Sequence, residues 1–377
     1  MSSRIRPLLV LLTAAAMLPL STGAASASSA PAPCAAPAPA EAPVRAGEAG
    51  RKSPLPPNAA AFMAAYTAWG DKPTVCEYLK LFTRDGTLMD TGLPAPIGLA
   101  AIEEQMKAVL TVMPDYRFVP LSADSSPDGR VIFVKARNTG TVTAANGTSA
   151  EVDYVTTHRL VLRGELVEQG RRFWDQTELF RPLEPSLPRL FEGLGPAGPQ
   201  GRPDAGAPRH KPVPPAAARQ QPKPGTAEWK ERRKRAWNSG DVSALVPDAR
   251  GLRLTGPGLS GPITSTATAQ EYLGRFYGRV HGPMKLEPGH TVRKGRTVYQ
   301  EWVGHAKVGP TESSASTVTY GIVEQFTLGE RGAVDWELSF ETLDLVATGD
   351  AIKTLRERLF PPRNPSAPSA PSAPSAS

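Results

Sequence analysis

The sequence predicts an α+β protein built from two similar units, and three observations carry that prediction. Residues 152–179 alternate apolar and polar side chains on two long segments, with Arg163-Gly164-Glu165 turning between them. Ahead of them, Ile102, Met106, Val109 and Leu110 recur at the spacing of an amphipathic helix. The same order of helices and strands then returns in the second half of the chain, together with several landmark residues.

At 377 residues the chain is longer than one ordinary domain, and its 40 prolines and 34 glycines are too many for a chain that is globular throughout. Much of that excess lies outside the two units. Residues 1–27 read as a signal peptide: Arg4 and Arg6 precede the apolar run Leu8 to Leu20, and Ala25-Ser26-Ala27 offers a small-residue cleavage site. The expected destination is secretion. Lipid attachment at Cys34 is disfavoured, because Pro31 and Pro33 stand where a lipobox wants Leu and a small residue. Residues 28–57 are a Pro/Ala spacer that buries too little apolar surface to fold. Cys34 and Cys76 would meet an oxidising compartment, where either a pair or two separate thiols fits the sequence. No other run is long and apolar enough to cross a membrane.

The formal charge of +7 is spread along the chain. Lys230-Glu231-Arg232-Arg233-Lys234-Arg235 lacks interleaved aromatics, so it predicts a solvated helix face and no specific nucleic-acid partner.

In the first unit, residues 58–182, Asn58 is placed to cap a helix that carries Phe62, Tyr66 and Trp69 on one face and closes at Gly70-Asp71. A second helical piece covers Val75 to Phe82, a short strand Thr87 to Asp90, and a third helix Ile97 to Met113. Strands follow at Tyr116 to Leu121, Val131 to Thr143, Val152 to Leu162 and Leu166 to Leu179. Asn146-Gly147 is a strong hairpin signal between the second and third of these, and explains the Asn-Gly-Thr triplet without glycosylation. Residues 183–225 form a Pro/Gly-rich linker of the kind that lets flanking domains move independently.

The second unit, residues 226–348, opens with Thr226 capping the helix Trp229 to Trp237. A helix with Tyr272, Leu273 and Phe276 follows, then strands at Thr297 to Val308, around Val318 to Leu328, and at Ala333 to Val346. Glu324 aligns with His158, while the counterpart of Asp175 falls between Thr342 and Asp344. Trp302, Tyr320 and Trp336 read as core or pocket lining. Residues 349–377 are a short helix and a Pro/Ser/Ala tail.

The Gly-Asp helix end, the acidic turn Thr83-Arg84-Asp85, the glycine before a helix and the four closing strands together resemble the nuclear transport factor 2-like family, of the SnoaL-like kind. That resemblance implies two tandem cone-shaped domains, each a strongly curved, mainly antiparallel sheet packed on about three helices around an apolar pocket. Related enzymes, including ketosteroid isomerase, scytalone dehydratase and SnoaL-like polyketide cyclases, place one Asp or a His/Asp pair inside the pocket. A buried carboxylate there is a stronger base, and a neighbouring His or Tyr can donate to a developing oxyanion.

His158 and Asp175, on the last two strands, are the catalytic candidates that follow, with Tyr66, Tyr154, Leu160 and Phe173 lining the pocket. Asp90 and Asp115 are weaker candidates. The loss of a matching pair in the second unit favours a binding module for a small apolar molecule. A cofactor-independent isomerase, dehydratase or cyclase is the alternative, and a structural module dimerising through its sheet face is a third. No cofactor motif, zinc-ligand spacing, phosphate loop or serine nucleophile elbow is present. A cavity with one convergent polar cluster would favour the enzyme; an apolar cavity without one would favour the binder.

Overall fold

The computed structural model describes residues 55–194, 223–247, 249, 251–329 and 333–360. The predicted leader, the Pro/Ala spacer, most of the predicted linker and the tail beyond Phe360 lie outside them.

In the first half, helices α1 (Pro57–Asp71), α2 (Val75–Leu79) and α3 (Leu99–Val112) accompany strands β1 (Phe82–Met89), β2 (Ile97–Gly98), β3 (Arg117–Ser125), β4 (Val131–Thr143), β5 (Ser149–Arg163) and β6 (Leu166–Phe173), followed by the one-turn α4 (Thr177–Phe180). The strands form one sheet in the order β2-β1-β6-β5-β4-β3, with β1 parallel to β6 and the other pairs antiparallel.

The second half holds α5 (Ala227–Ser239), α6 (Val242–Leu245), β7 (Gly251–Thr255), α7 (Thr266–Tyr277), β8 (Lys285–Lys294), β9 (Thr297–Val308), β10 (Ser316–Leu328) and β11 (Ala333–Ser339), then α8 (Leu343–Val346) and α9 (Gly349–Leu359). Its sheet runs β7-β11-β10-β9-β8, with β7 parallel to β11 and the other pairs antiparallel. The molecule is thus a mixed α+β protein with two sheets.

Most predicted elements stand at their expected places, and the ends show where local chemistry decides. Thr74 and Thr226 cap α2 and α5 through their side chains. Asn58 does not cap α1, which begins at Pro57. A ring with fixed φ and no N–H suits that first position. The Asn58 side-chain amide instead donates to the Asp128 carbonyl. Gly147 and Gly164, with φ of 82° and 65°, make the β4–β5 and β5–β6 hairpin turns.

The closing strands are shorter than predicted in both halves. β6 ends at Phe173 because the Asp175 carboxylate accepts the Thr177 N–H at 3.0 Å and turns the chain into α4. β11 ends at Ser339, and Glu341 accepts the Leu343 N–H at 2.6 Å in the same way.

The outer faces of the two sheets pack on each other. Phe133 stacks on Tyr299 with ring centroids 5.0 Å apart, beside Phe173, Val292 and Val323. Around this apolar patch, Arg159 donates to Glu301 at 3.2 Å and Thr157 bonds Ser339 at 2.8 Å. The face predicted to meet a second copy is therefore occupied by the chain's own second sheet. Because Arg159 and Glu301 are both buried, removing either alone would strand a charge.

Each half also sends a segment into the other's core. Phe191 and Leu194, which follow the first sheet, join the second core, where Phe191 lies 4.2 Å from Tyr272. Ile352 and Leu359 of α9 join the first core. The Arg358 carbonyl accepts the Ala145 N–H at 2.9 Å, and the Arg358 guanidinium lies 2.8 Å from Glu184. Such contacts do not fit units that move independently.

Candidate functional site

A cavity of about 90 Å³ lies between α1, α3 and the inner face of β4, β5 and β6, several times the room one water molecule needs. Its wall is mainly apolar and aromatic, with Trp69, Met106, Val109, Phe118 and Leu179 among the lining residues. Set in that wall are two polar groupings.

The first is a chain of hydrogen bonds across β4, β5 and α1. Tyr116 donates to Asn138 Oδ1 at 2.6 Å, Asn138 Nδ2 donates to Thr156 Oγ1 at 3.1 Å, Thr156 Oγ1 lies 2.7 Å from His158 Nε2, and His158 Nδ1 lies 2.6 Å from the Tyr66 hydroxyl. One consistent assignment has Tyr66 donating to Nδ1 and Nε2–H donating to Thr156. Burial, helped by the charge of Arg172, holds the His158 pKa well below that of an ordinary histidine, so the ring is neutral. Burial raises the Tyr66 and Tyr116 hydroxyls well above the usual phenol value, and both keep their protons.

The second grouping surrounds Asp90 at the end of β1. Its Oδ1 accepts from Thr91 N at 2.9 Å and Trp174 Nε1 at 3.0 Å; its Oδ2 accepts from Gln105 Nε2 at 2.9 Å and Arg172 Nη1 at 3.0 Å. Arg172 Nη2 also donates to the Tyr78 hydroxyl at 2.5 Å. Asp90 is the one carboxylate lining the cavity among the described residues, and all four of its bonds are made within the protein.

The predicted site residues divide accordingly. Tyr66, Tyr154 and His158 line the cavity. Leu160 is buried in the same core, packed near Gly170, but does not line the cavity. Phe173 and Asp175 are elsewhere. The register settles this: His158 pairs with Arg172 across β5 and β6, so Arg172 and Trp174 share its face, while Phe173 turns outward against the second sheet. An offset of one residue moves every side chain of a strand to the opposite face. His158 and Asp175 are not brought together, and the predicted pair does not form.

Asp175 belongs to the junction of the two halves. It accepts from Thr342 Oγ1 at 2.7 Å and Thr342 N at 3.3 Å, while Gln176 N donates back to Glu341 at 3.2 Å. The second half makes the same kind of turn at Glu341, two residues past β11, and not at Thr342 or Asp344. Desolvation raises the pKa of Asp175, against the hydrogen bonds from Thr342 and Thr177 that lower it. Burial, with the charge of Asp175 second, raises Glu341 well above the usual range and takes Glu178 to about 8.

Groups whose carboxyls titrate higher in the folded state stabilise it fully below their unfolded pKa of about 4, and that stabilisation is lost as pH rises through the folded value. Stability should therefore fall between pH 7 and pH 9, and Glu178→Gln should flatten the fall. Thermal unfolding of both proteins across this window checks it. His158, with its lowered pKa, acts in the opposite direction, but below about pH 6.5 and so outside the window.

Asp115 holds Thr141 at 2.7 Å on the surface, as a strand-start residue would. Cys76, in α2, is disulfide-bonded; Cys34 lies outside the described residues.

The sequence reading missed Asn138, Thr156 and Arg172, for which the strand register was the available signal. It also missed Gln176, just past β6, and Arg356, whose helix lies at the far end of the chain. In the second half Glu324, which aligns with His158, belongs to a buried ion pair. Arg233 of α5, expected on a solvated face, is buried and ion-paired to Glu324, which also accepts from Trp302 Nε1 at 2.8 Å. Trp302, Tyr320 and Trp336 are core residues there.

Among the described residues no helix is long and apolar enough to cross a membrane, and no group of His, Cys, Asp and Glu is arranged to hold a metal ion. No family model matches the sequence, and no curated protein matches it. Solved structures do match. A phenazine biosynthesis-related protein from Pseudomonas aeruginosa is 18% identical with a TM-score of 0.31, covering 40% of this chain and 96% of its own. A protein described as a SnoaL-like polyketide cyclase from Jannaschia sp. CCS1 is 14% identical with a TM-score of 0.30, covering 36% and 96%. A protein of ketosteroid isomerase-like fold from Catenulispora acidiphila, in complex with trimethylamine, is 15% identical with a TM-score of 0.28, covering 32% and 90%. The solved folds to which this chain is similar are thus SnoaL-like and ketosteroid isomerase-like, over part of its length.

Proposed function

We propose that this is a secreted protein of two tandem, diverged cone-shaped domains, whose first domain binds a small, mainly apolar molecule in its cavity. The observation that carries the reading is the contrast between the halves. Where the first keeps an open, aromatic-lined space beside His158, the second is closed by the Arg233–Glu324 pair and its surrounding rings. The tandem arrangement is supported by the shared strand order and by the matching turns at Asp175 and Glu341.

The cavity does carry polar groups, which by themselves would suit an enzyme. Their bonds are largely spent on one another. Both ring nitrogens of His158 have protein partners, and Asp90 is held by a guanidinium and three further donors. A carboxylate whose oxygens already accept four protein hydrogen bonds has little left to offer a substrate proton. Acid–base catalysis by the neutral His158 with Tyr66 is the second reading, favoured by their 2.6 Å contact on the cavity wall.

Ala108, on the cavity wall in α3, allows a test. Ligand-observed NMR against a panel of small cyclic and aromatic compounds should find binders to the parent protein. Ala108→Trp fills the space and should weaken them about tenfold or more, while the thermal midpoint stays close to the parent's. A parent that binds none of the panel contradicts the reading. Consumption of a compound that stops in His158→Gln would move the conclusion to the enzyme.

A further inference from the structure

The cavity is not built by the first half alone. Arg356, Leu359 and Phe360, from the end of α9, line it together with residues of the first sheet. Arg356 Nη2 donates to Gln176 Oε1 at 3.1 Å, and Gln176 Nε2 donates to the Thr91 carbonyl at 2.9 Å. Thr91 is the neighbour of Asp90, which holds Arg172. Two guanidiniums, one from each half of the chain, thus stand on the same short segment at one end of an otherwise apolar cavity.

The charges there do not balance. The cavity lining holds Arg172 and Arg356 against the single carboxylate Asp90, with His158 neutral. Arg356 makes no ion pair among the described residues. The junction acids Glu341 and Asp344 are the carboxyls on which its charge acts, and burial favours their neutral form. The Nε atoms of both arginines are buried without a hydrogen-bond partner. Buried donors left unmade are costly, and a guanidinium is shaped to receive a carboxylate.

Resting on the cavity-binding reading, we infer that the ligand is an amphipathic acid: an apolar ring or chain carrying one anionic oxygen group, seated at the Arg172–Arg356 end. Arg356 is then a specificity-determining residue supplied by the second half. The apolar remainder of the wall excludes a bare inorganic anion as the main occupant, since burying a small hydrated ion without apolar contact gains little there.

Two probes of nearly equal shape decide it: 4-ethylbenzoate and its neutral amide, 4-ethylbenzamide, titrated into the full chain at pH 7 by calorimetry. The acid is expected to bind about tenfold or more tightly than the amide. In Arg356→Gln that preference should shrink to about twofold, and an amide that still binds reports that the variant is folded. Equal affinity of the two probes for the parent overturns the anionic ligand while leaving the cavity reading standing. A preference that survives intact in Arg356→Gln overturns the role of Arg356. Failure of both probes to bind the parent overturns the inference and the cavity reading together. The parent comparison stands whether or not the variant folds.

Discussion

Glu324→Ala should destabilise the protein by about 3–5 kcal/mol, the usual cost of removing one partner from a buried ion pair. Arg233 and Glu324 are respectively 4% and 0% exposed, which is what makes the loss large. Arg233 Nε donates to Glu324 Oε2 at 2.8 Å, and Nη1 donates to the Leu245 carbonyl at 2.8 Å. Its guanidinium carbon lies 5.0 Å from the ring centre of Phe326, 5.2 Å from Trp336 and 5.3 Å from Trp229. Alanine would leave that cation surrounded by rings with one carbonyl and no counter-charge. The double variant Arg233→Met with Glu324→Leu removes both charges and keeps the volume, so it should recover most of the loss. Urea unfolding of the three proteins gives the answer. If Glu324→Ala cost less than about 1 kcal/mol, within the range of exposed ion pairs, the second half would not be filled and sealed in this way.

Loss of helix α9 is the other large effect. Leu359 is 1% exposed and Ile352 5% exposed, both against the first half's core. Leu359→Ala alone should cost about 2–5 kcal/mol, the range for deleting a buried leucine side chain. A chain ending at Thr348 loses the Arg358–Glu184 ion pair and the Ala145–Arg358 backbone bond as well, and should be less stable still. It should also bind cavity ligands more weakly, because three lining residues go with the helix. Urea unfolding, followed by titration of whatever remains folded, measures both. An α9-deleted chain as stable as the parent would contradict the crossed packing.

The arrangement of elements was legible in the sequence because it rests on periodicity and turn chemistry. The amphipathic spacing of α3, the Asn146-Gly147 turn and the long alternating strands are local signals, and the structure follows them. The site was legible only in part. Tyr66 and His158 meet on the cavity wall, where the Tyr66 hydroxyl of α1 reaches the His158 ring on β5. The partner of His158 was misassigned because β6 was read one residue out of register with β5, which put Phe173 and Asp175 on the face that Arg172 and Trp174 occupy. What ends the strand is a single side-chain bond from Asp175 to Thr177, a contact that leaves no periodic trace. A turn of the same kind in the second half hid Glu341.

Arg233 and Arg356 were hidden for a different reason. A basic residue on a helix is most often solvated, and what buries Arg233 is a glutamate 91 positions away. Arg356 reaches the cavity only because the two sheets pack against each other, an event that no local pattern records. The charge excess of the chain thus concealed two arginines that turn inward.

The most direct test of the central claim, that the first half holds the ligand and the second does not, is a methyl spectrum with labelled methionine. Met106 and Met113 line the cavity, whereas Met284 is sealed in the second core. Titration with 4-ethylbenzoate is expected to shift the methyl signals of Met106 and Met113 and to leave that of Met284 in place. A shift confined to Met284, or binding that moves neither cavity methionine, would contradict it.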